Sequence, residues 1–384
     1  MIKKLGKILS YIVVAALASV VTLMISNDLS PSAAKLAQLE KMLDEKFIGE
    51  ADVVEMGDAA AKAMVASLGD RWSYYIPADE YEAYKEHTAN AYFGIGITIT
   101  VMEDGSGFKI VQVAGGGPAE EAGLLPGDVL THVAGQHVGG WDSGDVRNLV
   151  KGEEGTFVDI TVSRRGEEIT MPVERRKIKT PVATGKMLEN KTGFIQIVNF
   201  DDRCAEETIA AIEQLLEQGA ESLVFDVRNN PGGYAHELVK VLDYLLPKGE
   251  LFRTVDYAGN EDVDMSDADC LEGVLMAVLV NGESYSAAEF FAAAMREYDA
   301  AVVVGEKTVG KGYFQRTYSL VDGSAVGLSV GKYFTPNGIS LGDAGGIVPD
   351  VEVAVTEEEA YQIYAGLLDP MKDPQILAAI KALQ

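Results

Sequence analysis

The sequence predicts a multi-domain α/β protein: a larger α/β core, a β-rich domain before it and a helical N-terminal segment. Three observations carry this prediction. Between Gly193 and Val304 short apolar strand-like runs alternate with helical ones, the pattern of an α/β core. From Tyr92 to Val173 strand-like runs recur around glycine turns. Before that, Leu36, Leu39, Met42, Leu43 and Phe47 recur at helical spacing. The 384 residues suffice for two or three domains, one with a sizeable core. The division expected is 1–27 as a membrane anchor or signal segment, 28–90 helical, 91–176 β-rich, 177–355 the core, and 356–384 a C-terminal helical segment.

Composition narrows the function classes. A hydrophobic content of 47% and 40 glycines suit a globular protein rich in turns. The net charge of −27 argues against nucleic acid as a partner, because a phosphate backbone needs clustered Lys and Arg. Cys204 and Cys270 form no CxxC and have no metal-type spacing, and the sequence leaves open whether they pair. His87, His132, His137 and His236 sit in no metal-binding or triad motif. No metal or cofactor is therefore expected.

The N-terminus carries Lys3, Lys4 and Lys7 ahead of an uncharged run from Ile8 to Ile25. At about 1.5 Å of rise per residue such a run approaches the thickness of a bilayer core. Ala16-Leu17-Ala18 resembles a signal-peptide cleavage site, but apolar residues continue past it, which favours an uncleaved anchor. The basic flank keeps the N-terminus inside and the acidic remainder outside the cytoplasm. A single-pass membrane protein with an extracytoplasmic body is expected, with secretion after cleavage as the alternative. Met56 to Leu68 reads as a second helix, and Asp70–Tyr84 as a loop entering another.

Phe93-Gly94-Ile95-Gly96-Ile97-Thr98-Ile99 alternates around two glycines and reads as a strand, with Phe108–Val113 as its partner. Gly117-Pro118-Ala119-Glu120-Glu121-Ala122-Gly123-Leu124 and Leu125-Pro126-Gly127-Asp128-Val129-Leu130 follow, then strands over 158–163 and 168–173. In this order the three motifs resemble a PDZ domain. Successive amides of the Gly94-Ile95-Gly96-Ile97 loop can form a nest for a terminal carboxylate, and the adjacent edge strand can accept a peptide.

The core opens with a strand at Gly193–Ile197 and an amphipathic helix at Cys204–Glu217. A short apolar strand at 223–227 runs into Arg228-Asn229-Asn230-Pro231-Gly232-Gly233, followed by a helix at 234–246. Ala277–Val280 reads as a strand, Asn281–Ser284 as a turn, Ala287–Met295 as a helix and Ala301–Val304 as a second strand. Tyr333–Gly338 and Gly346–Asp350 are turn-rich, and the last thirty or so residues read as helical.

A serine at a strand-to-helix turn can expose its hydroxyl beside helix N-terminal amides. Ser284 and Ser286 both qualify; two residues apart in an extended loop, they point the same way. Their base can be a lysine if its amine is neutral, which costs on the order of 4–5 kcal/mol for a shift from about 10.4 to near 7. Lys307 sits beside Glu306 as a charged surface residue does, whereas Lys311 lies between Gly310 and Gly312. Gln315 can orient an amine while staying neutral. Glu289 reads as electrostatic support for the helix start.

Residues 281–289, 305–312 with Gln315, 226–233 and 346–350 together resemble the active-site motifs of the carboxyl-terminal processing peptidases, or tail-specific proteases. With the PDZ domain the resemblance spans about residues 65–355. It implies a ClpP/crotonase-like α/β protease core, Ser286 as nucleophile, Lys311 as general base and Gln315 supporting the amine. It also implies an oxyanion hole of backbone amides from Gly232 or Gly233 and from Ala287. Glu283 and Tyr285 stand where the family usually has glycine and alanine, so preference near the scissile bond is expected to differ. The function expected is a membrane-anchored, extracytoplasmic serine endopeptidase that takes protein tails through its PDZ domain. A homodimer is implied by resemblance. The alternative is an inactive PDZ scaffold, which the intact Ser286, Lys311 and Gln315 disfavour. A trypsin-like protease would need a His-Asp-Ser order and a GNSGG-like motif, which the sequence lacks.

Overall fold

The computed structural model describes residues 30–267 and 269–384. The expected anchor at 1–27 lies outside the described residues, among which no helix is long and apolar enough to cross a membrane. The chain divides into two compact units after Pro77.

In the first unit, helix α1 (Pro31–Lys46) begins with a proline at its first turn, and Ser30 Oγ accepts from the Ala33 amide. Helix α2 (Val53–Ala66) is capped by Asp52, whose carboxylate accepts from the Val54 and Glu55 amides. Strand β1 (Tyr74–Ile76) falls within the stretch that reads as a loop. Leu39, Met42, Leu43 and Phe47 of the first helix and its end remain exposed.

The second unit opens with α3 (Ala78–Thr88) and the β domain. Strands β3 (Ile97–Val101), β4 (Phe108–Val113), β5 (Val129–Val133), β7 (Phe157–Arg164) and β8 (Glu167–Glu174) form an antiparallel sheet in the order 3-4-5-7-8, and short β6 (Gln136–His137) pairs with β5. Strand β2 (Ala91–Gly94) leaves this sheet and pairs with β9 (Arg176–Lys179). The single strand expected over 93–99 is thus two. Gly96 sits at φ +79°, which no strand continues, and Ile95 drops into the domain core instead. Helices α4 (Pro118–Glu121) and α5 (Ser143–Val150) close the domain, and α5 buries Val146 and Val150.

The α/β core is a six-stranded sheet of β10 (Ala183–Met187), β11 (Thr192–Ile197), β12 (Ser222–Asp226), β15 (Leu275–Val280), β16 (Ala301–Gly305) and β19 (Val351–Glu352), in that order. All neighbours after the β10–β11 pair are parallel. Both faces are covered, so these strands are apolar on both. Leu223, Phe225, Met276, Val278 and Val280 share a cluster with α6 (Cys204–Glu217), α7 (Ala235–Leu245) and α8 (Ala287–Glu297). Val224, Ala277, Leu279 and Val304 pack with Ile376, Ala379 and Ile380. Both cysteines are free thiols.

A second antiparallel sheet joins β13 (Gly249–Asp256), β14 (Glu261–Ser266), β17 (Tyr313–Ser319) and β18 (Ala325–Phe334). Strand β18 absorbs Tyr333 and Phe334, which read from sequence as part of a turn. After α9 (Leu341–Ala344), the chain ends in α10 (Glu357–Tyr364) and α11 (Pro374–Ala382).

The last helix is bound to the core by charge. Arg228, at the end of β12, donates Nε and Nη2 to the Asp226 carboxylate at 2.8 and 2.7 Å. Its Nη1 reaches Asp373 Oδ2 and Gln375 Oε1, both at 2.8 Å, and Asp373 Oδ1 caps α11 through the Gln375 and Ile376 amides. All four side chains are buried, so removing one carboxylate strands the others. Asp373→Ala is expected to destabilise the protein by about 3 kcal/mol, read as a lower urea midpoint at constant slope. A loss below about 1 kcal/mol would show the network to be dispensable.

Candidate active site

The apolar run of β15 ends at Val280, and the turn that follows is fastened by its own side chains. Ser284 Oγ donates to Val227 O at 2.7 Å and accepts from the Asn281 amide at 3.0 Å, while Asn281 Oδ1 accepts from the Asn229 amide at 2.9 Å. Ser284 is fully buried, its hydroxyl spent on joining the ends of β12 and β15.

Ser286 follows at φ +57° and ψ −127°, a conformation that costs a non-glycine residue strain. That kink separates the two serines: the shared direction expected of an extended loop is lost. The Ser286 hydroxyl instead lies 2.6 Å from Tyr333 Oη, and its amide donates to Glu289 Oε2 at 3.0 Å.

Glu289 does more than support the helix start. It is fully buried one turn into α8 and also accepts from the Lys311 amide at 2.9 Å, the Gly310 amide at 2.7 Å and the Thr308 hydroxyl. Burial pushes its pKa up, and the hydrogen bonds from Thr308, Lys311, Gly310 and Ser286 pull against that. One carboxylate thereby fixes the Ser286 turn against the loop carrying Lys311. The loop runs close to Gly345-Gly346: a Cβ on Gly310, itself at φ +84°, would lie 2.6 Å from Gly346 N.

The candidate base and its partner are found at different places. Lys311 Nζ lies over the ring of Tyr285, the residue before Ser286, 5.8 Å from its centre. Lys307 is exposed. Gln315 follows a register shift in β17 and gives its carboxamide to Tyr313 O and Ser329 Oγ, at 3.1 and 3.0 Å. The structure therefore joins Ser286 and the Lys311 backbone through Glu289, and holds Gln315 within its own sheet.

The turn after β12 meets Ser286 at contact distance. A Cβ on Gly232 would stand 2.7 Å from Ser286 Cβ and 2.8 Å from the Ala287 amide nitrogen, so only glycine fits. The Gly232 amide is already given to Asn230 Oδ1 at 2.8 Å. Gly233 lies against Phe200-Asp201, where burial and the neighbouring Asp202 push the Asp201 carboxyl up to about 7.

Gly94, Ile95, Gly96 and Ile97 line a groove of about 670 Å³, together with Val146 and Val150 of α5 and with Val198 and Asn199 after β11. Strand β3 is the outer strand of its sheet beside this groove. No group of His, Cys, Asp and Glu among the described residues is arranged to hold a metal ion.

Sequence reading missed Tyr333. It is 5% exposed, with Phe290, Phe252 and Phe314 around its ring. The signal was present in the strand pattern before the Thr335–Gly338 turn. The reach of Glu289 had a partial signal in the Ser-x-x-Glu spacing of a capping box.

Known proteins resemble this chain over most of its length. Residues 191–353 match the family described as Peptidase family S41, and residues 109–164 match the PDZ domain. The chain is 32% identical over 341 residues to a CtpA-like serine protease of Staphylococcus haemolyticus, covering 86% of this chain and 66% of that protein. It is 31% identical over 325 residues to the carboxy-terminal processing protease CtpA of Bacillus subtilis, covering 84% and 69%. The chain thus spans about two thirds of the length of these curated relatives. A solved S41 protease structure from Bacteroides fragilis shares the fold at 16% identity and a TM-score of 0.51, over 90% of this chain and 96% of that one.

The raised Asp201 pKa has a sign. The folded protein keeps a proton there that the unfolded chain releases, so stability falls as pH rises from about 4 towards 7. Asp201→Asn is expected to melt with the parent at pH 4 and above it at pH 8, a gap thermal melts at both values will measure. Equal melting at pH 8 would contradict the assignment.

Proposed function

Because the chain belongs to peptidase family S41, we propose that it is a serine endopeptidase with Ser286 as nucleophile and Lys311 as general base. The observation that carries this reading is the Glu289 carboxylate, which binds the Ser286 amide and the Lys311 amide on the same oxygen. A neutral Lys311 amine takes the Ser286 hydrogen as Oγ attacks the peptide carbonyl, and the resulting ammonium returns it to the leaving amine. The Gly233 and Ala287 amides receive the oxyanion. Water then releases the acyl group by the same steps. Gln315 supports the amine in this scheme once its carboxamide turns from Ser329. No cofactor is needed for any step.

The substrate is a protein with a free C-terminus. Its terminal carboxylate sits in the Gly94–Ile97 nest, and its chain extends the β3 edge along the groove. The uncharged run behind Lys3, Lys4 and Lys7 supports anchoring in the cell membrane with the body outside the cytoplasm. The exposed apolar side chains of α1 support self-association as a homodimer.

The test is cleavage of an unfolded protein ending in an apolar tail, with the same protein lacking the tail as control. Wild type is expected to cleave the tailed substrate faster, and Ser286→Ala and Lys311→Ala to lower turnover by at least about 1,000-fold. Equal cleavage by all three would end the dyad assignment, and equal rates on both substrates would end the tail-binding one.

A further inference from the structure

The dyad leaves one group on the reacting oxygen unexplained. Tyr333 Oη is 2.6 Å from Ser286 Oγ, and the tyrosine is held there from two sides. Its ring stands edge-on to Phe290 at 4.5 Å between centres and tilts against Phe252 at 5.4 Å. Its backbone amide donates to Gly312 O at 3.2 Å, one residue after the candidate base. Tyr333 therefore touches the nucleophile with its side chain and the base loop with its main chain.

Either hydroxyl can donate in this pair. Tyr333 Oη sits in an aromatic cage, and Ser286 Oγ is its hydrogen-bond partner among the described residues. Once a base takes the Ser286 hydrogen, Oγ can only accept, and the phenol is the donor in contact with it.

We propose that Tyr333 is a catalytic residue of the peptidase, a neutral donor that stabilises the negative charge developing on Ser286 Oγ. The inference rests on the serine peptidase reading above and adds a third group to it. When Lys311 removes the Ser286 hydrogen and the Oγ–carbon bond forms, the phenol keeps its own hydrogen and holds the oxygen by that bond. In deacylation the Oγ–carbon bond breaks, the electron pair returns to Oγ under the same donor, and the lysine ammonium gives back the hydrogen. Burial pushes the phenol pKa above its ordinary value, so the donor persists at the pH values where a lysine base is neutral.

Tyr333→Phe keeps the ring and removes the donor. In the full chain, the test follows the rate of labelling by a small fluorophosphonate, along with kcat and KM for cleavage. Labelling and kcat are expected to fall about 10- to 100-fold with KM nearly unchanged, the scale of one hydrogen bond to a charged oxygen. Labelling at the wild-type rate, or faster, overturns the proposal. Should the variant melt well below wild type, 3-fluorotyrosine at position 333 keeps the packing and strengthens the donor. It is expected to speed labelling several-fold, and an unchanged rate is equally fatal. Ser286→Ala separates the two readings: if it labels like wild type, or wild type does not label, the serine peptidase reading fails first.

Discussion

The site depends on one buried carboxylate. Glu289 takes four hydrogen bonds, from the Ser286 and Lys311 amides on one oxygen and from the Gly310 amide and Thr308 hydroxyl on the other. An ion in such a place is expensive to bury, and the four donors offset that cost only where both chain segments stand in register. Neither the strained serine turn nor the glycine-flanked lysine loop has this geometry by itself. The carboxylate makes them parts of one surface.

Around it the loop motifs hold one another. Thr308 Oγ1 also accepts from the Ile347 amide at 2.8 Å, and Asp350 accepts from the Val303 amide at 2.9 Å, so the base loop is pinned to the turn that follows α9. On the other side Gly232 presses on Ser286 while Arg228, paired with the buried carboxylates of Asp226 and Asp373, fastens the same turn to α11. Rigid supports of this kind suit chemistry that needs a nucleophile, a base and oxyanion donors at fixed separations. The groove beside Gly94–Ile97 is shared between the β domain, through Val146 and Val150, and the core, through Val198 and Asn199.

Much of this was legible in the sequence, and the exceptions have physical reasons. The Cys204–Glu217 helix and the strands around Ser286 announce themselves through strong apolar periodicity. The sheet of β13, β14, β17 and β18 does not, because its half-exposed strands mix charged and apolar residues. Tyr333 was hidden for a related reason: the proline and glycine just after it signal a turn more loudly than the strand that carries it. The family pattern selects Ser286 over Ser284; the positive φ that turns their side chains apart is one that serine itself does not advertise. The Asn230 side chain takes up the Gly232 amide, an engagement that no spacing rule places. Family motifs named the residues of the site; only the folded chain shows what fastens them.

The most direct measurement of that fastening is Glu289→Gln, which keeps the shape of the side chain and turns an NH2 towards groups that are themselves donors. Cleavage of a tailed substrate and binding of a tail peptide to the groove are measured on the same preparation. The account predicts that kcat/KM falls by about 100-fold or more while the peptide binds with unchanged Kd. Wild-type turnover from Glu289→Gln would contradict it.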